Sequence, residues 1–269
     1  MCISRLRGGI LYHRPNLGHR WRDKYQASVA IKKCAVLGYK EMFFFDHVSK
    51  SYGSNPVLVD TTLGIEKGQL VIISGSNGSG KTTLLKIAAT LLSPDSGSIY
   101  MIKDNGDRIA NASSLRESSS YISHTSFLYD NLTVTENLNL FARLMKPGKY
   151  NSDWIDLLKR FDISKFSEKK VRELSHGTKK KVSICRSLIQ PAGIMIWDEP
   201  DAGLDDFSIH TLSEIVNEQT EKGISVLLTS HNRSFVEDLD GYQFRLSSGS
   251  LESVSYTHLR AHETRHDLV

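Results

Sequence analysis

Gly75-Ser76-Asn77-Gly78-Ser79-Gly80-Lys81-Thr82-Thr83 is the stretch whose reading decides the fold. It fits G-x-x-x-x-G-K-[ST], the spacing of a phosphate-binding loop. Before it, Leu70-Val71-Ile72-Ile73-Ser74 is a short apolar, β-branched run that reads as a buried strand. After it, Leu84, Ile87, Ala88 and Leu91 recur at the spacing of one helix face. Strand, loop and helix in that order explain the chemistry. Gly75, Gly78 and Gly80 allow positive φ and close approach of backbone to a polyphosphate. Successive N–H groups and the helix N-terminus then point at the anion. The whole stretch from Gly75 to Thr83 is expected to hold a nucleoside triphosphate. Lys81 is placed on its β- and γ-phosphates, and the Thr82 hydroxyl on Mg²⁺. A glycine-rich turn that merely precedes a helix seldom carries the lysine, the hydroxyl and both flanks together.

The 269 residues suffice for one large domain or two small ones. A charged fraction of 24% is that of a soluble globular protein, and no apolar run reaches the roughly 18 residues of a membrane span. Cys2, Cys34 and Cys185 are odd in number and have no C-x-x-C spacing, which argues for a reducing compartment and against a disulfide framework or zinc site. The net charge of +4 is unevenly spread. Residues 1–41 hold nine Lys/Arg and two Asp/Glu, so the remainder is mildly acidic, with 25 basic and 28 acidic side chains. Nothing in that remainder forms a basic stripe with interleaved aromatics, and no nucleic-acid partner is expected.

Residues 1–41 read as a basic leader. An organellar transit peptide is one reading, and an over-extended reading frame starting in truth at Met42 is the favoured one. The end, residues 255–269, resembles a translated sequencing-adapter scar. Its His258 and His262 stand at i, i+4, but no metal site is assigned there. Between the two, strand-like runs at residues 42–45 and 57–63 flank the turn Gly53-Ser54-Asn55-Pro56, and residues 98–102 look like a strand returning to a small antiparallel layer. Residues of about 121–173 read as a helical insertion. Thr135 and Ser152 are its expected caps, and Leu138, Phe141, Ala142, Met145, Trp154, Leu157, Leu158 and Phe161 face inward. The chain then returns to strand–helix alternation, with strands at 194–197 and 225–229 around a helix at 208–222, and short terminal strands at 242–246 and 251–254. The expected fold is α/β: a P-loop NTPase core with a mostly parallel sheet, a small antiparallel β layer and an inserted helical subdomain.

The strand Ile194-Met195-Ile196-Trp197 ends in Asp198-Glu199. In an open parallel sheet ligands bind at the carboxyl ends of the strands. Asp198 is therefore expected beside the Gly75 loop, holding Mg²⁺ through water, with Glu199 reaching the attacking water as general base. Upstream lies Leu174-Ser175-His176-Gly177-Thr178, followed by a helix from Lys179 to Ile189. Ser175 can cap it and so create a second helix N-terminus able to meet an anion. Lys179-Lys180-Lys181 reads as a solvated face.

Over residues 42–254 these features resemble the ATP-binding cassette family. Residues 174–178 look like its signature motif, Ala202-Gly203-Leu204-Asp205 like its D-loop, His231 like its switch histidine and Tyr52 like the aromatic that stacks on adenine. Taken alone, His231 reads as a satisfied loop histidine and Tyr52 as core packing; the ordered set is what carries the likeness. The resemblance implies two cassettes packed head to tail around two ATP molecules. Each ATP would meet residues 75–83 of one subunit and Ser175 and Gly177 of the other. Glu199 would polarise water, and His231 would contact the γ-phosphate. Asp205 falls within the D-loop. A single cassette must pair with itself or with a homologue. The chain departs from the family pattern at His124, where glutamine is usual in the Q-loop, and at His176 and Thr178, where glycine and glutamine are commonest. Neutral imidazole can hydrogen-bond a metal-bound or attacking water, whereas Mg²⁺ prefers oxygen ligands.

Three functions fit this resemblance: the energising subunit of a membrane transporter with its permease on a separate chain, a soluble cassette protein of DNA maintenance or translation, and a non-hydrolysing regulatory partner. The transporter subunit, peripheral on the inner face of the membrane, is favoured. Long heptad arms and tandem cassettes are absent, and the helical subdomain has a size to receive coupling helices. Ser123-His124-Thr125-Ser126-Phe127-Leu128-Tyr129-Asp130-Asn131-Leu132-Thr133 resembles the Q-loop of haem-exporter ATPases in cytochrome c maturation, with lipoprotein or multidrug exporters as the nearest alternative.

Overall fold

The computed structural model describes residues 41–123, 125–144, 154–189 and 192–254. Residues 1–40 of the leader, the stretch 255–269, the expected cap Ser152, Met145 and His124 lie outside them.

Two sheets form the scaffold. Strands β1 (Met42–Tyr52), β2 (Asn55–Glu66), β4 (Ser96–Ile102) and β5 (Arg108–Ile109) make an antiparallel layer in the order β2-β1-β4-β5. The second sheet has the order β10-β9-β3-β8-β7-β6, from β3 (Leu70–Ser74), β6 (Ser119–Ile122), β7 (Ile194–Asp198), β8 (Ser225–Thr229), β9 (Tyr242–Ser247) and β10 (Ser250–Ser253). Its pairings are parallel except for the terminal hairpin β9–β10. The hairpin β1–β2 turns on Gly53 and Ser54 alone. Tyr52 pairs with Asn55, so Asn55 and Pro56 belong to the strand rather than to the turn. Gly53, at φ 61°, supplies the left-handed residue that a two-residue hairpin needs, and Pro56 is tolerated because β2 is an edge.

The parallel sheet is buried on both faces, as its continuous apolar strands require. Val71, Ile73, Ile194, Ile196 and Leu227 face one core, shared with α1 (Lys81–Ala88) and the antiparallel layer. Leu70, Ile72, Met195, Trp197, Val226 and Leu228 face the other. That second core also takes in α3 (Val134–Leu144), α4 (Trp154–Arg160), α5 (His176–Ile189) and α6 (Asp206–Glu221). The short helices α2 (Ala112–Glu117) and α7 (Arg233–Glu237) complete the set. The helical insertion thus shares a core with the sheet. Its expected start at 121 is displaced, because Tyr121 and Ile122 are strand residues at the sheet edge.

Two local expectations are corrected. α1 stops at Ala88 and Thr90 takes φ 56°, so Leu91 leaves the apolar face and is 55% exposed. α3 is capped by Thr133, not Thr135. The Thr133 hydroxyl accepts from Glu136 N at 3.1 Å, and Glu136 Oε2 accepts from Thr133 N at 2.8 Å, a reciprocal capping box. Thr135 instead donates to Ser167 O.

Candidate nucleotide-binding and hydrolysis site

Side-chain alternation along the strands builds the site. Ile194, Ile196 and Asp198 share the face of β7 turned toward α1, and Leu227 and Thr229 share the matching face of β8. Asp198 therefore emerges at the carboxyl end of its strand on the side where α1 begins. The loop from β3 to α1 has its glycines where positive φ is needed: Gly75 at 151°, Gly78 at 79° and Gly80 at 104°. A Cβ on Gly80 would lie 2.8 Å from Val57 Cγ1 and 3.0 Å from Val57 O. Residue 80 must be glycine because the β1–β2 hairpin leans this closely over the loop. Tyr52 lies at the tip of that hairpin and is 52% exposed, so its ring is not core packing.

Lys81 is 6% exposed and folds back onto its own loop, donating to Gly75 O at 2.8 Å and Ser76 O at 3.0 Å. Burial pulls its ammonium below the ordinary lysine value, while Glu199 and Asp198 push the other way. The loop lysine and the two carboxylates are thus within electrostatic reach of each other. Among the described residues Ser79 Oγ is buried and meets no hydrogen-bond partner. Ser76 and Asn77 are exposed, and Thr82 is exposed at the start of α1.

Thr229 organises the carboxylates, a role that nothing in its sequence position announces. Its hydroxyl donates to Asp198 Oδ1 at 2.9 Å and accepts from Glu199 N at 2.9 Å. Asp198 is 4% exposed. Glu199 takes φ 48°, a left-handed conformation uncommon for a non-glycine residue, which turns the chain just past the strand end. His231 Nε2 stands 3.4 Å from Glu199 Oε1. Adjacent parallel strands thus bring Lys81, Asp198, Glu199 and His231 to one edge of the sheet.

The donor set suits Mg²⁺: a threonine hydroxyl at the helix start and a buried carboxylate, both hard oxygen ligands. Thr82 and Asp198 would hold the ion, which when bound neutralises phosphate charge. Among the described residues no group of three or more His, Cys, Asp or Glu side chains is placed to hold a metal ion.

The signature segment is built separately. Ser175 caps α5, its Oγ accepting from Thr178 N at 3.2 Å. A Cβ on Gly177 would lie 2.7 Å from Gly203 O, so the signature packs directly on the D-loop. Among the described residues, no hydrogen bond or ion pair joins Ser175 or Gly177 to residues 75–83. Asp205 is held as a helix cap and ion-pair partner: Oδ1 accepts from Ser208 N at 2.9 Å, and Lys181 Nζ donates to Oδ2 at 2.8 Å.

The lysine run is not a solvated face. Lys179 reaches Asp130 at 3.4 Å, Lys181 holds Asp205, and Lys180 is 4% exposed with Nζ 3.5 Å from Ser123 O. Further along α5, Ser183 Oγ donates to Ser126 O at 2.9 Å, and Arg186 donates to Tyr121 O at 3.2 Å and Phe127 O at 3.4 Å. One face of α5 therefore positions the segment around His124. The apolar periodicity of a helix does not reveal such contacts, because they are made by polar side chains to a segment distant in sequence.

A strand–loop–helix phosphate cradle beside a strand-end carboxylate pair defines the class, a P-loop nucleotide-binding ATPase domain. The chain belongs to the ATP-binding cassette transporter family: a family model described as ABC transporter matches residues 58–202. The ABC transporter ATP-binding protein NatA of Bacillus subtilis is 33% identical, with 71% of this chain and 78% of that one covered. The lantibiotic transport ATP-binding protein SrtF of Streptococcus pyogenes is 32% identical, covering 74% and 83%. Among solved structures, an ATP-binding subunit of an ABC transporter superposes with a TM-score of 0.72 at 31% identity over 80% of this chain and 90% of that one. The dimeric cassette MJ0796, at 23% identity and a TM-score of 0.69, shares the fold. The chain is thus an ATPase of this family and an ATP-binding subunit of a transport system.

Proposed function

We propose that two cassettes, this chain with a second copy or a homologue, close around two ATP molecules and drive a separate transmembrane permease. The observation that supports this reading most is the separation of the site into two halves: Lys81, Asp198, Glu199 and His231 lie at one sheet edge, and the capped N-terminus of α5 stands apart on the D-loop. Each half supplies what the other lacks. Residues 75–83 bind the triphosphate, with Tyr52 beneath the base. Glu199, oriented through Thr229, takes the proton of the attacking water. His231 holds the γ-phosphate side of the site, and His124, outside the described residues, stands in the glutamine position of the Q-loop. Ser175 and Gly177 meet the nucleotide of the opposite subunit. Among the described residues no helix is long and apolar enough to cross a membrane, so the chain would reach the inner membrane face through its permease.

Glu199→Gln is expected to retain ATP binding, lose hydrolysis by about a hundredfold or more, and accumulate an ATP-dependent dimer visible by light scattering. Only monomer at saturating Mg-ATP would count against the sandwich. Pull-down from detergent-solubilised membranes should recover a stoichiometric multi-span protein; recovery only from the soluble fraction would sink the transporter reading. The haem-exporter reading of the cargo rests on residues 123–133 alone, and relatives such as NatA and SrtF lend it no support. The permease sets the cargo.

A further inference from the structure

The turn between α1 and β4 is tied to the strand that carries Tyr52, and the hydrolysis scheme gives it no part. Asp95, in that turn, bonds three consecutive residues of β1. Its Oδ1 accepts from Lys50 Nζ at 2.5 Å, its Oδ2 accepts from Ser51 N at 2.7 Å, and its own N–H donates to Ser49 O at 2.8 Å. The bonds from Lys50, then Ser51, hold the Asp95 carboxyl below the ordinary carboxylate value. Two residues on, the same turn presses against β1 again. A Cβ on Gly97, at φ 79°, would overlap the His47 carbonyl and lie 2.5 Å from Asp46 O, so only glycine fits there.

The end of β1 needs such an anchor. Its ladder with β4 is irregular between Asp46 and Ser49, where His47 takes φ 52°, and ends at the pair Ser49–Ser96. Past that pair, the Asp95 carboxylate stands where a neighbouring strand would accept from Ser51 N. On the other side Ser51 pairs with Pro56, which has no N–H to give. Tyr52 follows at once at the hairpin tip, with its ring 52% exposed, so the backbone before it sets where the ring stands. We propose that Asp95 is a positioning residue for the base: it fixes the end of β1 so that the Tyr52 ring is pre-set to stack on adenine. The chain from Lys81 to Asp95 then joins the two ends of the nucleotide, starting at the phosphates and finishing behind the base. This rests on the reading of Tyr52 as the stacking aromatic. Asp95 acts only through that residue.

Calorimetric titration of the full chain with ATP and with inorganic tripolyphosphate, both without Mg²⁺ to prevent turnover, separates the base from the phosphates. Asp95→Ala should weaken ATP binding about fivefold and leave tripolyphosphate binding within about twofold. A merely structural role would weaken both ligands alike. That result, or an unchanged affinity for ATP, overturns the inference. Should the alanine variant not fold, Asp95→Asn, which keeps the size but loses the charge facing Lys50, is read with the same two ligands. Tyr52→Ala should weaken ATP binding about tenfold and spare tripolyphosphate. Adding Asp95→Ala to it should weaken ATP no further, because the ring through which Asp95 acts is gone; losses that multiply overturn the inference. The Tyr52→Ala variant also separates the two levels. If it binds ATP as the parent does, the reading of Tyr52 has failed and the inference falls with it. If it loses ATP as expected while Asp95→Ala does not, the failure is that of Asp95 alone.

Discussion

The phosphate loop and the floor of the signature helix make an instructive contrast. Residues 75–83 form one continuous cradle, whose lysine bonds to carbonyls five and six positions away. Around Lys180, contacts bridge 57 positions to Ser123, and those of Asp201 bridge 29 to Ser230. The first region takes its shape from local backbone conformation. The second is a polar junction made by folding. Local sites are specified by residue type and spacing, whereas junctions depend on which faces the sheet and helices bring together.

The largest expected effect tests the local side. Lys81→Ala should weaken ATP binding by about a hundredfold, ~3 kcal/mol, with the far-ultraviolet circular dichroism unchanged; nucleotide titration checks both. Retained affinity would mean that backbone donors suffice. Next, Thr229→Val preserves shape but removes the hydroxyl between Asp198 and Glu199. About 1–3 kcal/mol of lost hydrogen bonding should appear as a kcat reduction of tenfold or more. Steady-state kinetics with an unchanged kcat would break the link between strand end and general base. Ser175→Ala removes the α5 cap and should cost about 1 kcal/mol, a fall in melting temperature of roughly 2–4 °C, readable by calorimetry. Smallest is the effect of Asp205→Asn, which sharpens the contrast through pH. The bonds from Lys181, then Ser208, hold the Asp205 carboxyl well below the usual carboxylate value. Its contribution to stability is therefore present above the unfolded-state value and lost as pH falls through the depressed one. Denaturation of parent and variant should differ most near neutrality and converge in acid. A constant difference would assign the effect to the helix cap alone.

How far each region was legible follows the same division. The positive φ at Gly75, Gly78 and Gly80, the cap at Ser175 and the strands carrying Asp198 and Thr229 all agree with expectation. Each follows from local pattern. Leu91 was misplaced because periodicity alone does not end a helix; a left-handed Thr90 does. Thr133 and Thr135 are both plausible caps by residue type, and only the reciprocal bonds with Glu136 separate them. The lysine run departs further from the expected solvated face. Three consecutive lysines on a helix point in three directions about 100° apart, so the run cannot be exposed uniformly, and which lysine turns inward depends on the packing of α5 against the sheet.

By itself the sequence determined the phosphate loop, the α/β alternation, the carboxylate pair and the capped signature helix, because these depend on backbone freedom and on spacing within a few residues. Only the tertiary structure decided that Thr229 orients Asp198 and Glu199, that α5 holds Ser126 and Phe127 through Ser183 and Arg186, and that Lys180 lies buried with its ammonium toward Ser123. Those relations arise where parallel strands end side by side and a helix lies across them, and the register and face that produce them are properties of the packed chain.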